Sequence, residues 1–290
     1  MWIASGFIFT LIYFQCCLCK PGLKSTIFYL SKFGYMEEID MEASSTIIKA
    51  SSLKKSIGQF QKFMGLPVTG KPDKATLKMM GMPRCGVKDL MGQSGKRKKR
   101  FDTEGSTWEK RNITYRINKY PTKLKRDNVD SIIRKAFDLW AKHAEINFES
   151  RKNSNEKVDM DISFITGKHG DDTPFEGPEG VLAHAFFPKF GGDVHFDDSE
   201  EWTIDSPKGI NLLQVANHEI GHALGLLHSD ELDSSMSPLY NDFIPNFMLH
   251  TDDVQGIQKL YGKRIDHKLK KPPKTSQEIW DDYWENLVDY

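Results

Sequence analysis

His218, Glu219, His222 and His228 are the residues whose types and spacing most directly imply chemistry. They stand in the run His218-Glu219-Ile220-Gly221-His222-Ala223-Leu224-Gly225-Leu226-Leu227-His228. Two His at i and i+4 lie one helical turn apart on the same face, so both imidazoles reach one metal ion. Gly225 lets the chain leave the helix and bring His228 round as a third ligand. Three neutral nitrogens leave a fourth tetrahedral position open, the arrangement of a catalytic rather than a structural zinc. Glu219 lies beside them, close enough to take a proton from water on that metal. Zinc acidifies such a water and polarises a peptide carbonyl, so the implied chemistry is hydrolysis. Met236, just before Ser237-Pro238, is expected to form a turn beneath the metal. A bare His-Glu-x-x-His string arises by chance in some chains; the added Gly, His and Met argue against that here.

Elements must position these groups. The motif requires a helix, predicted over 212–225, and a second helix is predicted over 252–261. Val129, Ile132, Ile133, Ala136, Phe137 and Trp140 follow i, i+3, i+4, i+7, i+8, i+11, an amphipathic helix whose apolar face packs on a sheet. Ile113, Tyr115 and Ile117 alternate as in a strand, and 158–164 and 182–187 also read as strands. Together they predict an α+β domain of about 160 residues. Upstream, roughly 20–80 reads as short helices, with Ile57, Phe60, Gln61, Phe63 and Met64 at helical spacing and a turn at 65–70.

Charge separates these parts. The net charge is zero, but residues 1–100 carry 17 Lys/Arg against 6 Asp/Glu and the remainder carries 23 against 34. Residues 91–100, with Gly, Ser and five consecutive charges, form the expected linker between them. The uncharged apolar run from Trp2 to Cys19 reads as a secretory signal peptide, with an uncleaved membrane anchor as the alternative. Three of the four cysteines lie within it, leaving Cys85 alone and excluding a disulfide framework. Arg97-Lys98-Lys99-Arg100 fits cleavage by a furin-type convertase, whose acidic cleft suits four positive charges in a mobile segment; a nuclear-localisation or heparin-binding patch is the alternative. No nucleic-acid partner is expected, and the protein is expected to be a monomer.

The zinc motif resembles the metzincin clan, and Ser229 after the third His resembles its matrixin branch, the matrix metalloproteinases. Pro83-Arg84-Cys85-Gly86-Val87-Lys88-Asp89 is similar to that family's cysteine switch, although the family usually has Pro at the position of Lys88. The resemblance runs from about 20 to 262. It implies a three-helix propeptide followed by a catalytic domain with a five-stranded twisted mixed sheet and three helices. It further implies a Cys85 thiolate capping the catalytic zinc in a latent zymogen. The corresponding divisions are a signal peptide over 1–19, a propeptide over 20–100, a catalytic domain over 101–262 and a tail over 263–290. The layout resembles the minimal, matrilysin-type members, which lack a haemopexin-like propeller.

The resemblance also assigns further sites. His169, Asp171, His184 and His195 match a structural zinc site, so six of the nine histidines fall in two metal sets. Glu176, Gly177, Glu179, Val181, Asp197 and Glu200 match a calcium site, with Glu176 where the family has Asp. Asp159, Gly191 and Asp193 match a second calcium site in a loop two residues shorter than the family's. Gln214, Pro238 and Tyr240 match the walls of the primary specificity pocket, where Gln214 would add a polar element to a pocket for an apolar P1′ side chain. The implied substrates are extracellular-matrix or other extracellular proteins, and the implied inhibitors are tissue inhibitors of metalloproteinases. The new amino group at Phe101 is expected to meet Asp252-Asp253. Asn112-Ile113-Thr114 is an N-glycosylation acceptor. In the tail, Ser276 could cap a helix that places Ile279, Trp280, Tyr283, Trp284 and Leu287 on one docking face; a disordered acidic tail is the alternative.

Overall fold

The computed structural model describes residues 22–37, 48–90, 105–153 and 155–265. The signal peptide, Arg97 and Arg100, Phe101 and the 275–290 segment lie outside the described residues. Among the described residues, no helix is long and apolar enough to cross a membrane.

Three short helices come first: α1 (Leu23–Lys32), α2 (Ala50–Phe63) and α3 (Lys74–Met80). Leu30, Ile57, Phe60 and Met64 form their shared core, as the helical spacing predicts. Gln61, read as part of that stripe, is fully buried and does polar work. Its amide nitrogen donates to Thr69 Oγ1 and Thr76 Oγ1, and its oxygen accepts from the Thr69 and Gly70 backbone. One satisfied side chain thus folds the 65–73 turn onto α2, where unpaired it would be costly. Asp73 caps α3 by accepting from the Thr76 N–H.

The second unit contains a mixed sheet in the order β1-β5-β6-β4-β2-β3. Its strands are β1 (Arg84–Cys85), β2 (Asn112–Lys119), β3 (Asn147–Ser150), β4 (Met160–Ile165), β5 (Val181–Ala185) and β6 (Val194–Asp197). All pairings are parallel except β5 with β6. Five strands match expectation. The sixth is the switch segment itself, which adds β1 to the edge of β5, because an open edge offers unpaired N–H and C=O groups to any extended chain. A short pair of strands, β7 (Trp202–Thr203) and β8 (Ile210–Asn211), stands apart.

Helix α4 (Arg126–Ala141) buries all six residues of the predicted stripe. Helix α5 (Leu212–Ala223) is different: every one of its residues is buried, so it lies inside the domain with no solvated face. Trp140 Nε1 donates to Asn217 O and Asn217 Nδ2 to Ala136 O, bolting α4 to α5 through satisfied polar groups. Gly225 stops α5 with φ +101, and a Cβ there would strike Ser106 O. Helix α6 (Thr251–Tyr261) closes the unit with a capping box from His250 and Asp253.

Candidate metal centre and substrate cleft

Helix α5 delivers His218 and His222 one turn apart, and the Gly225 turn returns His228 to them. Their inner nitrogens converge: His218 Nε2 lies 3.1 Å from His222 Nε2 and 3.3 Å from His228 Nε2. Zinc–nitrogen bonds of about 2.05 Å in a tetrahedron imply an edge of about 3.3 Å, so the spacing fits. The outer nitrogens settle the tautomers. His218 Nδ1 donates to Ser235 O at 2.7 Å and His222 Nδ1 to Leu226 O at 2.7 Å. His228 Nδ1 donates to Asp89 Oδ1 at 2.8 Å. Each proton is therefore on Nδ1, and three Nε2 lone pairs face one point, an arrangement that only a cation satisfies. Burial lowers the pKa of His218 to about 3 and that of His222 well below its ordinary value, which keeps both neutral as ligands must be.

Cys85 Sγ belongs to the same group, all four ligand atoms lying within 4.8 Å of one another. Burial raises this thiol well above its ordinary value, so only a strong positive partner would hold it as thiolate. Glu219 is fully buried and neither carboxylate oxygen has a hydrogen-bond partner. The Cys85 thiol is near enough to act on the carboxyl but is not in hydrogen-bonding geometry. Burial pushes Glu219 up to about 8.

Met236 is buried against Gly221, on the helix that carries His218 and His222. Asp253, one of the two acidic residues expected to meet the new N-terminus, braces this turn in the unprocessed chain. Its Oδ1 accepts from Ser234 Oγ and Met236 N, and its Oδ2 from Ser235 N and His250 N. Asp252 accepts from Ser229 Oγ at 2.7 Å. A Cβ on Gly221 would overlap the Met236 sulfur and press the Trp140 ring at 3.0 Å. Gly221→Ala gains about 1 kcal/mol of helix propensity. Overpacking costs about 1–3 kcal/mol, and the buried Met236 thioether has the Trp140 ring beside it, so we expect a net loss of stability. A urea midpoint that stays or rises would contradict this.

The second group is built by strand register. His184 and His195 are cross-strand partners on β5 and β6, with His184 Nε2 3.2 Å from His195 Nδ1. His169 Nε2 lies 3.5 Å from His184 Nε2, and Asp171 Oδ2 lies 2.9–3.0 Å from all three rings. Burial drops His184 to about 4. Burial also opposes the Asp171 charge, but the Thr173 N–H and His184 hold it below the usual carboxylate range. Three nitrogens and a carboxylate make a closed four-ligand set that could hold a metal ion.

Asp197 and Glu200 are buried together. Asp197 Oδ2 has no partner, and Glu200 Oε1 accepts from Glu179 N at 2.8 Å. Burial, then the Asp197 and Glu179 charges, lift Glu200 to about 7. Gly177 and Glu179 both have positive φ, the bent loop that turns its backbone toward these carboxylates. Glu176 faces elsewhere and pairs with Lys32 at 3.2 Å. At the other expected calcium position, the Asp159 carboxylate is committed to Thr114 and Lys110, and Asp193 Oδ1 accepts from Asp161 N. Gly191 takes φ +105 in that loop. Asn112 is exposed at the start of β2, where its Oδ1 accepts from Asn147.

The expected pocket residues meet. Gln214, Pro238 and Tyr240 line one cavity of about 60 Å³ with His218, Glu219, Val215 and Leu182. The Gln214 amide is not turned into the cavity as a free polar group. Its oxygen accepts from Ile244 N at 2.9 Å and its nitrogen donates to Asp242 O at 3.4 Å, so it ties down the cavity wall. Along the cleft, the Pro83–Gly86 strip bonds to both sides. Arg84 N and Gly86 N donate to Gly180 O and Ala183 O, while Cys85 N donates to Pro238 O and Tyr240 N to Pro83 O.

An open three-histidine set with a buried carboxylate, on a helix inside a mixed α+β domain, defines a zinc metalloendopeptidase centre. Residues 107–262 match the Peptidase_M10 family, Matrixin, and residues 29–80 match a peptidoglycan binding domain family. Human matrilysin is 39% identical over 251 residues, covering 82% of this chain and 91% of that protein. Human matrix metalloproteinase-16 is 40% identical over 260 residues, covering 85% of this chain and 42% of that protein. Rabbit (Oryctolagus cuniculus) interstitial collagenase is 46% identical over 224 residues, covering 76% and 46%. The chain thus spans less than half the length of two of these relatives. It belongs to the matrixin family of zinc metalloendopeptidases.

Proposed function

We propose that this protein is the latent, secreted form of a zinc endopeptidase that cleaves extracellular-matrix or other extracellular proteins before apolar residues. The observation that carries this reading is the switch strip. Cys85 closes the open side of the three-histidine group while its neighbours bond to both walls of the cleft. The match of residues 29–80 to a peptidoglycan binding domain is compatible with this, since Leu239 of the cleft wall packs into the core of the three helices.

Zinc held by His218, His222 and His228 would supply Lewis acidity toward a peptide carbonyl and a water. The chain does the rest. Once the switch strip leaves, the edge of β5 and the Pro238–Tyr240 wall offer their freed backbone groups to an extended substrate. The cavity beside His218 takes an apolar P1′ side chain, with Leu, Ile or Met as the best fits. Glu219 takes a proton from the attacking water and returns it to the leaving nitrogen. Met236, braced by Asp253, supports the histidines from below.

His169, Asp171, His184 and His195 would hold a structural zinc. Asp197 and Glu200, with the carbonyls of Gly177, Glu179 and Val181, suit one calcium ion; Glu176 would join only by leaving Lys32. A second calcium at Asp159, Gly191 and Asp193 is the weaker fit, since Asp159 is already paired. Activation would follow cleavage after Arg100 by a furin-type convertase, and tissue inhibitors of metalloproteinases would be partners. An Arg100→Ala chain should be secreted unprocessed; processed Arg100→Ala protein in the medium would exclude this route.

The activity is tested with the processed protein on a quenched-peptide library, with and without a hydroxamate chelator. Hydrolysis before Leu, Ile or Met that the chelator abolishes is expected. Chelator-resistant cleavage, or preference for charged P1′ residues, would overturn the assignment.

A further inference from the structure

An imidazole that presents one nitrogen to a metal needs an acceptor for the proton on its other nitrogen. For His218 and His222 those acceptors are Ser235 O and Leu226 O, backbone groups inside the region that matches the matrixin family. For His228 the acceptor is the carboxylate of Asp89, 139 residues away in sequence and four residues beyond Cys85. Both side chains are completely buried. Asp89 is itself held firmly: Arg84 Nη2 donates to Oδ1 at 2.5 Å and the Tyr35 hydroxyl to Oδ2 at 2.7 Å. His228 is also the ligand without a helix beneath it, since it follows the Gly225 turn that ends α5.

We infer that Asp89 is a positioning residue of the catalytic metal centre, so that the switch segment grips the metal at two points. One point is direct, through Cys85. The other is indirect, through the Asp89 bond that fixes the tautomer and ring orientation of His228. This inference rests on the reading of the three histidines as zinc ligands. A carboxylate that accepts the Nδ1 proton makes the imidazole a better donor than a neutral acceptor does, and loss of such a partner typically weakens metal affinity by about 10–100-fold. Separation of the switch segment therefore changes two things at the metal: the thiolate ligand leaves, and the third histidine loses its anionic partner. The latent protein retains zinc more firmly than thiolate ligation alone accounts for.

The test separates this effect from mere loosening of the segment. Asp89→Asn and Arg84→Met both break the buried ion pair, but only Asp89→Asn alters the acceptor of His228. Both are made in the full chain carrying Glu219→Ala, which prevents self-cleavage. The readouts are zinc transfer to a chromophoric chelator, Cys85 thiol reactivity and the His228 Nδ1–H proton resonance. At matched thiol protection, Asp89→Asn should lose zinc roughly 10-fold faster than Arg84→Met, and the resonance should move upfield in Asp89→Asn, whose amide is a weaker acceptor, but not in Arg84→Met, which leaves the carboxylate in place. Zinc loss that follows thiol exposure equally in both variants, with the resonance unmoved, would overturn the inference. A parent chain whose zinc content is unchanged by His228→Ala would overturn the reading of the site itself.

Discussion

Replacing Glu219 with Ala should leave zinc bound, abolish measurable turnover and make the protein more stable. General acid–base catalysis contributes about 10²–10⁴-fold, and the proposed mechanism asks it of Glu219, a carboxylate lining the cavity beside His218. None of the three histidines depends on Glu219 for its orientation, because their outer nitrogens bond to Ser235, Leu226 and Asp89. The sign of the stability change follows from burial. Both Glu219 oxygens are sealed from solvent with no hydrogen-bond partner. Such a group costs about 1–3 kcal/mol, of which the Ala variant recovers a part, less what is lost to the smaller volume. Function thus requires a locally unfavourable group. Zinc content, peptide hydrolysis and urea midpoint decide the matter on one preparation; activity within tenfold of the parent would remove Glu219 from the mechanism.

The second large effect is expected at Arg84. This guanidinium is almost fully buried, 3.5 Å from the Phe33 ring centroid, and donates to Tyr29, Asp89 and the Cys85 carbonyl. It connects the three-helix core to the strip in the cleft. Arg84→Met keeps much of the volume but leaves Asp89 as a buried charge with only Tyr35 and His228 as partners. Removing one partner of a buried pair costs about 3–5 kcal/mol. At about 1.4 kcal/mol per decade, the population with the strip displaced should rise by about two to three and a half orders of magnitude. Cys85 alkylation in a chain also carrying Glu219→Ala reads this directly. Unchanged thiol reactivity would show that the strip is seated by its backbone bonds alone. The surface pair Lys32–Glu176 makes an instructive contrast. It also bridges the two parts, but with an exposed glutamate it should matter little.

Much of the catalytic group was legible in the sequence because its geometry is local. An i, i+4 pair on a helix and a glycine turn bring three imidazoles together whatever surrounds them. The α4 stripe was legible for the same reason, as every predicted position is buried. Strands β3 and β6 were not read, being four residues each with too little alternation to register. Helix α5 offered a weaker amphipathic signal than α4, since burial on all sides blunts it.

The roles of Asp89, Asp253, Gln214 and Glu176 could not be read from residue type. Asp89 stood in the switch motif with no assigned task, and nothing local in the sequence shows that Asp253 holds the Met236 turn. Gln214 lines the pocket as expected, but its bonds to Ile244 and Asp242 across the wall were not readable. The sequence by itself singled out the groups that could bind metal and the carboxylate and thiol proposed to act beside them, because these depend on chemical type and short-range backbone geometry. Only the tertiary structure decided that a sixth strand fills the cleft and that a carboxylate 139 residues distant holds the third histidine. Those pairings are set by how separate units pack, and no local periodicity encodes them.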